Sequence, residues 1–164
     1  MGMLATVRQL EEAQLRALLQ NPDTVLDFVQ QRVAAAEELD LDKAWHGLHY
    51  LLTGDAWGDE EPLCFLLNGG EQIGTEEDHD VGYGPARGIM PGQVKEFAQA
   101  LAAISEPEFR KRYDSEEMAE LVVYPNGWAE EPAEMLDWLV GSFTALQRFV
   151  AAAADKNRAL VIYL

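Results

Sequence analysis

The last six residues, Ala159 to Leu164, read ALVIYL, a wholly apolar, β-rich run of strand length. Such a run is stable only inside a sheet, where its backbone groups are paired and its side chains are covered. It therefore needs partner strands. Residues 2 to 8 supply one, with Met3, Ala5 and Val7 on one side and Leu4, Thr6 and Arg8 on the other, the period of a strand with one buried face. Arg87 to Met90 supplies another short strand. Most of what lies between follows helical spacing. The sequence thus predicts an α+β fold: a mostly helical single domain over residues 1–164, with a small sheet formed from the N-terminal strand, the C-terminal strand and a short strand near residues 87–90.

The helices are read from their apolar stripes and their stops. Leu10, Leu15, Leu18 and Leu19 predict a helix from Gln9 to Gln20, ended by Asn21-Pro22. Val25, Phe28, Val29, Val33 and Ala36 predict a second one, from Asp23 or Thr24 to near Leu39. A third is expected from an Asp40 or Asp42 cap through Thr53, on the stripe Leu41, Trp45, Leu48 and Leu52, with Gly54 at its left-handed end. Leu63 to Leu67 is read as a short buried helix, with a central strand as the competing assignment. Pro91 opens a helix to Ile104, Ser105/Glu108 and Asp114/Glu117 look like capping boxes, and a long central helix is predicted from Glu131 to Ala154. Glu71 to Pro85, rich in glycine and acid, reads as a surface loop, and Tyr124 to Trp128 as a turn.

Charge narrows the partners. Twenty-nine acids against twelve bases give a net charge of -17, a field that repels phosphate backbones and anionic membranes and attracts basic proteins. No nucleic acid and no membrane are expected as partners. The start, MGMLATVRQL, lacks the charged lead and apolar core of a signal peptide, and no apolar run nears the ~18 residues of a membrane span, so a cytoplasmic location is expected. Cys64 lies in an apolar run and reads as a small buried hydrophobe rather than a nucleophile.

Chemistry-bearing residues gather between Leu39 and Met90. His46 and His49 stand three apart on a helix, where their side chains can share a cation, and His79, Asp78, Asp80 or Glu71 could complete a metal site. The alternative is that both histidines flank the buried stripe and hydrogen-bond to loop backbone. Nine acids and no Lys or Arg lie between Lys43 and Arg87, so Arg87 is the local counter-ion. It is expected to pair with a carboxylate such as Glu71, or else to clamp a ligand carboxylate or phosphate. Gly82-Tyr83-Gly84-Pro85 lacks the spacing of a phosphate loop and reads as a turn presenting Tyr83 at the surface or against Trp45, and Glu76 to Asp80 lacks the order of a calcium loop. The candidate pocket is therefore Trp45, His46, His49, Glu71, Tyr83 and Arg87, with no catalytic residue, metal or cofactor assigned.

By motif and order the chain resembles the YfbM-like family of bacterial proteins, a domain of unknown function. The resemblance rests on the MGM start, LDLDKAWHGLHYLLTG, the block from Pro62 to Gly74, GYGPAR at Gly82 to Arg87, and the terminal LVIYL. The sequence departs from that pattern at Met90-Pro91 and where TEEDH lengthens the loop before Asp80. The resemblance implies a cytoplasmic bacterial α+β domain and carries no catalytic residue, cofactor or activity. With no catalytic signature complete, the sequence points to a non-enzymatic acidic interaction module that binds a basic protein, one version being an immunity or inhibitor protein. The alternatives are a small-molecule-binding or metal-dependent enzyme around His46, His49, Tyr83 and Arg87, and a structural homo-oligomer.

Overall fold

The computed structural model describes residues 2–164. Five strands, β1 (Ala5–Leu10), β2 (Glu38–Asp42), β3 (Glu71–Gln72), β4 (Arg87–Ile89) and β5 (Ala159–Tyr163), form one antiparallel sheet in the order β2-β1-β5-β4-β3. The terminal run is thus the middle strand, paired on both edges, with Val7 opposite Ile162 and Gly88 opposite Val161. This is the α+β architecture expected, with β2 and β3 added at the two edges.

Among the described residues seven α-helices follow in chain order: α1 (Glu12–Gln20), α2 (Val25–Gln30), α3 (Trp45–Thr53), α4 (Pro91–Ala102), α5 (Glu106–Lys111), α6 (Ser115–Glu120) and α7 (Pro132–Asp155). They cover both faces of the sheet. Val7, Leu160, Ile162 and Ile89 enter the larger core with Leu48, Phe97, Phe143 and Leu146 from α3, α4 and α7. Leu10, Ala159 and Val161 enter a smaller one with Leu15 and Leu18 of α1 and Val25 of α2. Alternation along β5 therefore sends successive apolar side chains to opposite cores, which is why every position in it is apolar. At Gly88 a Cβ would stand 2.4 Å from a Leu15 methyl, so the close seat of α1 on the sheet requires glycine there.

The segment from 31 to 44 differs from expectation. The second helix ends at Gln30 rather than near Leu39, and Glu38–Asp42 is a strand. ELDLD alternates with period two, buries Leu41 and exposes Asp40 and Asp42 on the sheet edge, where charge discourages further strand pairing, while Glu38 turns in to the buried Arg8. Asp42 adopts φ 48, and α3 begins at Trp45 without a side-chain cap, so neither Asp40 nor Asp42 caps it. α3 is also buried all round from Trp45 to Leu52, not along one stripe. Leu63 to Leu67 forms successive turns rather than a regular helix, although Cys64, Phe65 and Leu66 are buried. β1 is shifted to Ala5–Leu10, and α1 starts at Glu12, where the Glu11 N–H bonds the Gln14 side chain.

Gly54 ends α3 at φ 76, and Ser105 and Asp114 accept the Glu108 and Glu117 N–H groups at 3.3 and 3.0 Å. Met90, which cannot cap by a side-chain oxygen, has its own N–H satisfied by Gln93 at 3.0 Å.

Arginines close helical ends from the sheet and from neighbouring helices. Arg8 of β1, only 3% exposed, donates to the Phe28 and Val29 carbonyls in the last turn of α2, to the Gln31 carbonyl just beyond it and to Glu38, with its guanidinium over the ring of Phe28. Arg112 donates to the Leu51 and Leu52 carbonyls at the end of α3. In each case a cation meets carbonyls that no further helical turn can satisfy.

Candidate functional site

Several chain segments meet where α3 begins. Met3 precedes β1, Trp45 and His46 open α3, Trp57 follows it, and Tyr83 tops the glycine loop. Val122, Tyr124 and Asn126 come from the chain beyond α6, and Leu164 from the end of β5. Together they line a cleft of about 700 Å³ with Asp80, Leu67, Gly82 and Gly84.

The cleft is pinned by hydrogen bonds between segments distant in sequence. The Trp45 indole N–H donates to the Met3 carbonyl at 3.0 Å, the Met3 N–H to the Tyr124 hydroxyl at 3.0 Å, and the Tyr83 N–H to the Leu164 carbonyl at 3.2 Å. The Trp45 ring stacks with those of His46 and Tyr124, at centroid distances of 4.9 and 5.7 Å. Gly82 is seated where a Cβ would come within 2.5 Å of the Leu164 carbonyl oxygen, which holds the glycine loop close to the end of β5.

His46 is fully engaged. Its Nδ1 accepts the Tyr124 N–H at 2.9 Å, so Nε2 carries the proton and donates to the Ala56 carbonyl at 2.7 Å. Burial lowers its pKa below the ordinary imidazole value, opposed by the Ala56 bond. The ring shows the cleft an apolar surface, not a free nitrogen.

His49, one turn on, does not line the cleft. Its ring lies 6.5 Å from that of His46, it is fully buried, and neither nitrogen has a hydrogen-bond partner. Burial, then the neighbouring His46, lowers its pKa to about 4; Arg87 acts in the same direction and Asp55 against it.

Arg87 reaches backbone carbonyls instead of a carboxylate. Nη1 donates to the Asn68 and Gly69 carbonyls at 2.6 and 3.0 Å, and Nη2 to the Phe65 carbonyl at 2.8 Å. The arginine does tie the glycine loop to the sheet, but by closing the turns that contain Cys64, and burial brings its pKa down to about 10. Glu71 is exposed on edge strand β3 and makes no ion pair with it.

Of the six residues grouped from the sequence, Trp45, His46 and Tyr83 line the cleft, while His49, Glu71 and Arg87 do not. His79 is also elsewhere: its Nδ1 accepts the Thr75 N–H and its Nε2 meets Asp23 at 3.0 Å. Among the described residues, no group of three or more His, Cys, Asp or Glu side chains is placed to hold a metal ion. Cys64 is buried, and burial followed by Glu61 pushes its thiol pKa up.

Sequence reasoning missed Trp57, Val122, Tyr124 and Asn126. Trp57 carried a signal, since a tryptophan in the acidic loop GDAWGDEEP has no evident core to fill; it is 65% exposed. Val122 carried none. Asp80 was read only as a metal-ligand candidate; its Oδ1 accepts the Gly82 and Gly84 N–H groups at 2.7 and 2.9 Å, which lower its pKa and keep it ionised.

Fold and cleft define a helix-covered antiparallel sheet domain with an aromatic surface cleft. The chain belongs to the family described as Domain of unknown function (DUF1877), which matches residues 1–163. It is 22% identical over 138 residues to Protein YfbM of Escherichia coli strain K12, covering 82% of this chain and 80% of that protein. The crystal structure of YfbM from Escherichia coli, titled a protein of unknown function, superposes with a TM-score of 0.76 at 17% identity over 98% of both chains. At that identity the likeness establishes the fold. Among the described residues no helix is long and apolar enough to cross a membrane.

Proposed function

We propose that the chain is a non-enzymatic, acidic interaction module of the cytoplasm that binds a basic protein, with the aromatic cleft as its point of contact. One observation carries this reading: the cleft's histidine is spent on backbone groups, and the ionised side chain in its lining is a carboxylate, Asp80. A net charge of -17 adds long-range attraction for a basic surface. An inhibitor or immunity protein that covers a basic toxin is one form of such a module.

The test is a pull-down with the intact protein at low and moderate salt. Basic proteins retained at low salt, released as salt rises and lost with Trp57→Ala are the expected result. Retention of no basic protein at either salt contradicts the reading.

A small-molecule-binding or metal-dependent enzyme built on His46, His49, Tyr83 and Arg87 is the rival. The cleft volume favours it, lying within the ~300–1,000 Å³ of small-molecule sites. The hydrogen bonds of His46 and Arg87 weigh against it, since a base or anion clamp needs a free nitrogen. Stoichiometric metal in protein purified without chelators or a histidine tag would support the metal version. Loss of function in a His46→Ala, His49→Ala double variant that remains folded would support the enzyme generally.

A further inference from the structure

Among the described residues six large hydrophobic side chains are exposed, and three of them, Trp57, Tyr83 and Val122, line this one cleft. Their exposures are 65%, 55% and 67%. Exposed aromatic surface concentrated in a concave site marks a binding surface, because scattered single exposures need no explanation and clustered ones do.

Val122 adds a second, independent observation. The end of α6 is a Schellman motif: the Val123 N–H bonds the Met118 carbonyl and the Val122 N–H bonds the Ala119 carbonyl. Val122 occupies the left-handed position at φ 55, where glycine or asparagine belongs and a β-branched residue is strained. α7 ends with the same pair of bonds and has Asn157 there, at φ 54. At Val122 the strain is accepted and the side chain is held at the cleft mouth. Such outliers gather where a side chain must be presented.

The chemistry of the lining selects a ligand. Trp57 and Tyr83 are exposed on the cleft, and among the described residues no Lys or Arg lines it, while Asp80 Oδ1 accepts the Gly82 and Gly84 N–H groups and Oδ2 has no hydrogen-bond partner. Planar, weakly hydrated guanidinium stacks on aromatic faces and bonds a carboxylate at once, whereas a lysine ammonium is a compact, strongly hydrated charge that gains less here. We propose that the cleft is an arginine pocket, taking the guanidinium of an arginine on the basic partner against Trp57 and Tyr83 with Asp80 as its counter-ion. This rests on the interaction-module reading and names the partner's anchoring group. The cleft exceeds one guanidinium in size, so residues flanking the arginine also enter it, against Val122 and Leu67.

The test is isothermal titration of the full chain, at low salt, with an arginine-rich peptide and its lysine-rich equivalent of equal charge. Both feel the acidic field; only the first fits the pocket. The expected result is about tenfold tighter binding of the arginine peptide, a preference erased by Trp57→Ala and reduced about fivefold or more by Asp80→Asn. Trp57 is exposed and asparagine can still accept the Gly82 and Gly84 N–H groups, so both variants should fold, which circular dichroism checks. Equal affinity for the two peptides, or a preference unchanged in both variants, overturns the pocket. If basic proteins are still retained in the pull-down, only the pocket assignment falls; if none is, the interaction-module reading falls with it.

Discussion

His46 and His49 lie on one face of α3 with rings 6.5 Å apart, and one has both nitrogens bonded while the other has neither. Removing them should have opposite effects. His46→Leu strands the half-buried Tyr124 N–H and the buried Ala56 carbonyl and is expected to cost about 2–3 kcal/mol. His49→Leu, of similar volume, replaces two unpartnered nitrogens with methyl groups and is expected to stabilise by about 1 kcal/mol. Urea denaturation of both variants at neutral pH checks the signs.

The same histidine predicts a pH dependence. His49 has a pKa of about 4 when folded against an ordinary 6.5. Between those values the unfolded chain binds the proton and the folded one does not, so stability is full above about 6.5 and falls as pH is lowered toward 4. At one kilocalorie and a third per unit, the loss across the window is roughly 3 kcal/mol at most. Denaturation between pH 7 and pH 5 should show His49→Leu with a shallower acid slope than wild type; His46, also depressed, keeps part of it.

Arg87 and Glu71 offer a direct contrast. If the arginine acts through the Phe65, Asn68 and Gly69 carbonyls, Glu71→Ala leaves stability within about half a kcal/mol, while Arg87→Lys loses most of the fork and costs about 2 kcal/mol or more. Thermal melts of the two variants compare them. A large effect at Glu71 would restore the carboxylate pairing read from the sequence.

Val122→Gly should raise stability by about 1 kcal/mol, since glycine takes the left-handed position without the cost of a β-branched side chain. The same variant should weaken binding of the basic partner, because a wall of the cleft is lost. Gain in melting temperature together with loss of affinity is the expected pair of readouts.

The sequence made the sheet's centre legible, because ALVIYL has no stable alternative to a covered strand, and made α4 and α7 legible because their apolar spacing is long and regular. It misled at Glu38–Asp42, where five residues of period two were absorbed into longer helical stripes on either side. It also misassigned Arg87. Nine acids nearby suggested a carboxylate partner, but the carbonyls it meets come from turns whose geometry no composition reveals. Half of the residues grouped into a pocket line the cleft, and its other walls include Trp57, Asp80, residues 122–126 and both ends of the chain, which only the assembled sheet brings together.

The proposed binding lies at the aromatic cleft and not at the histidine pair. The four tryptophans give four indole N–H signals in a nitrogen-15 spectrum, and Trp57 is the exposed one on the cleft while Trp128 is buried beneath α3. Titration with an arginine-rich peptide should shift the Trp57 indole and the Tyr83 and Val122 amides, leaving the Trp128 indole in place. A Trp57 signal that stays still while shifts gather elsewhere on the surface would contradict it.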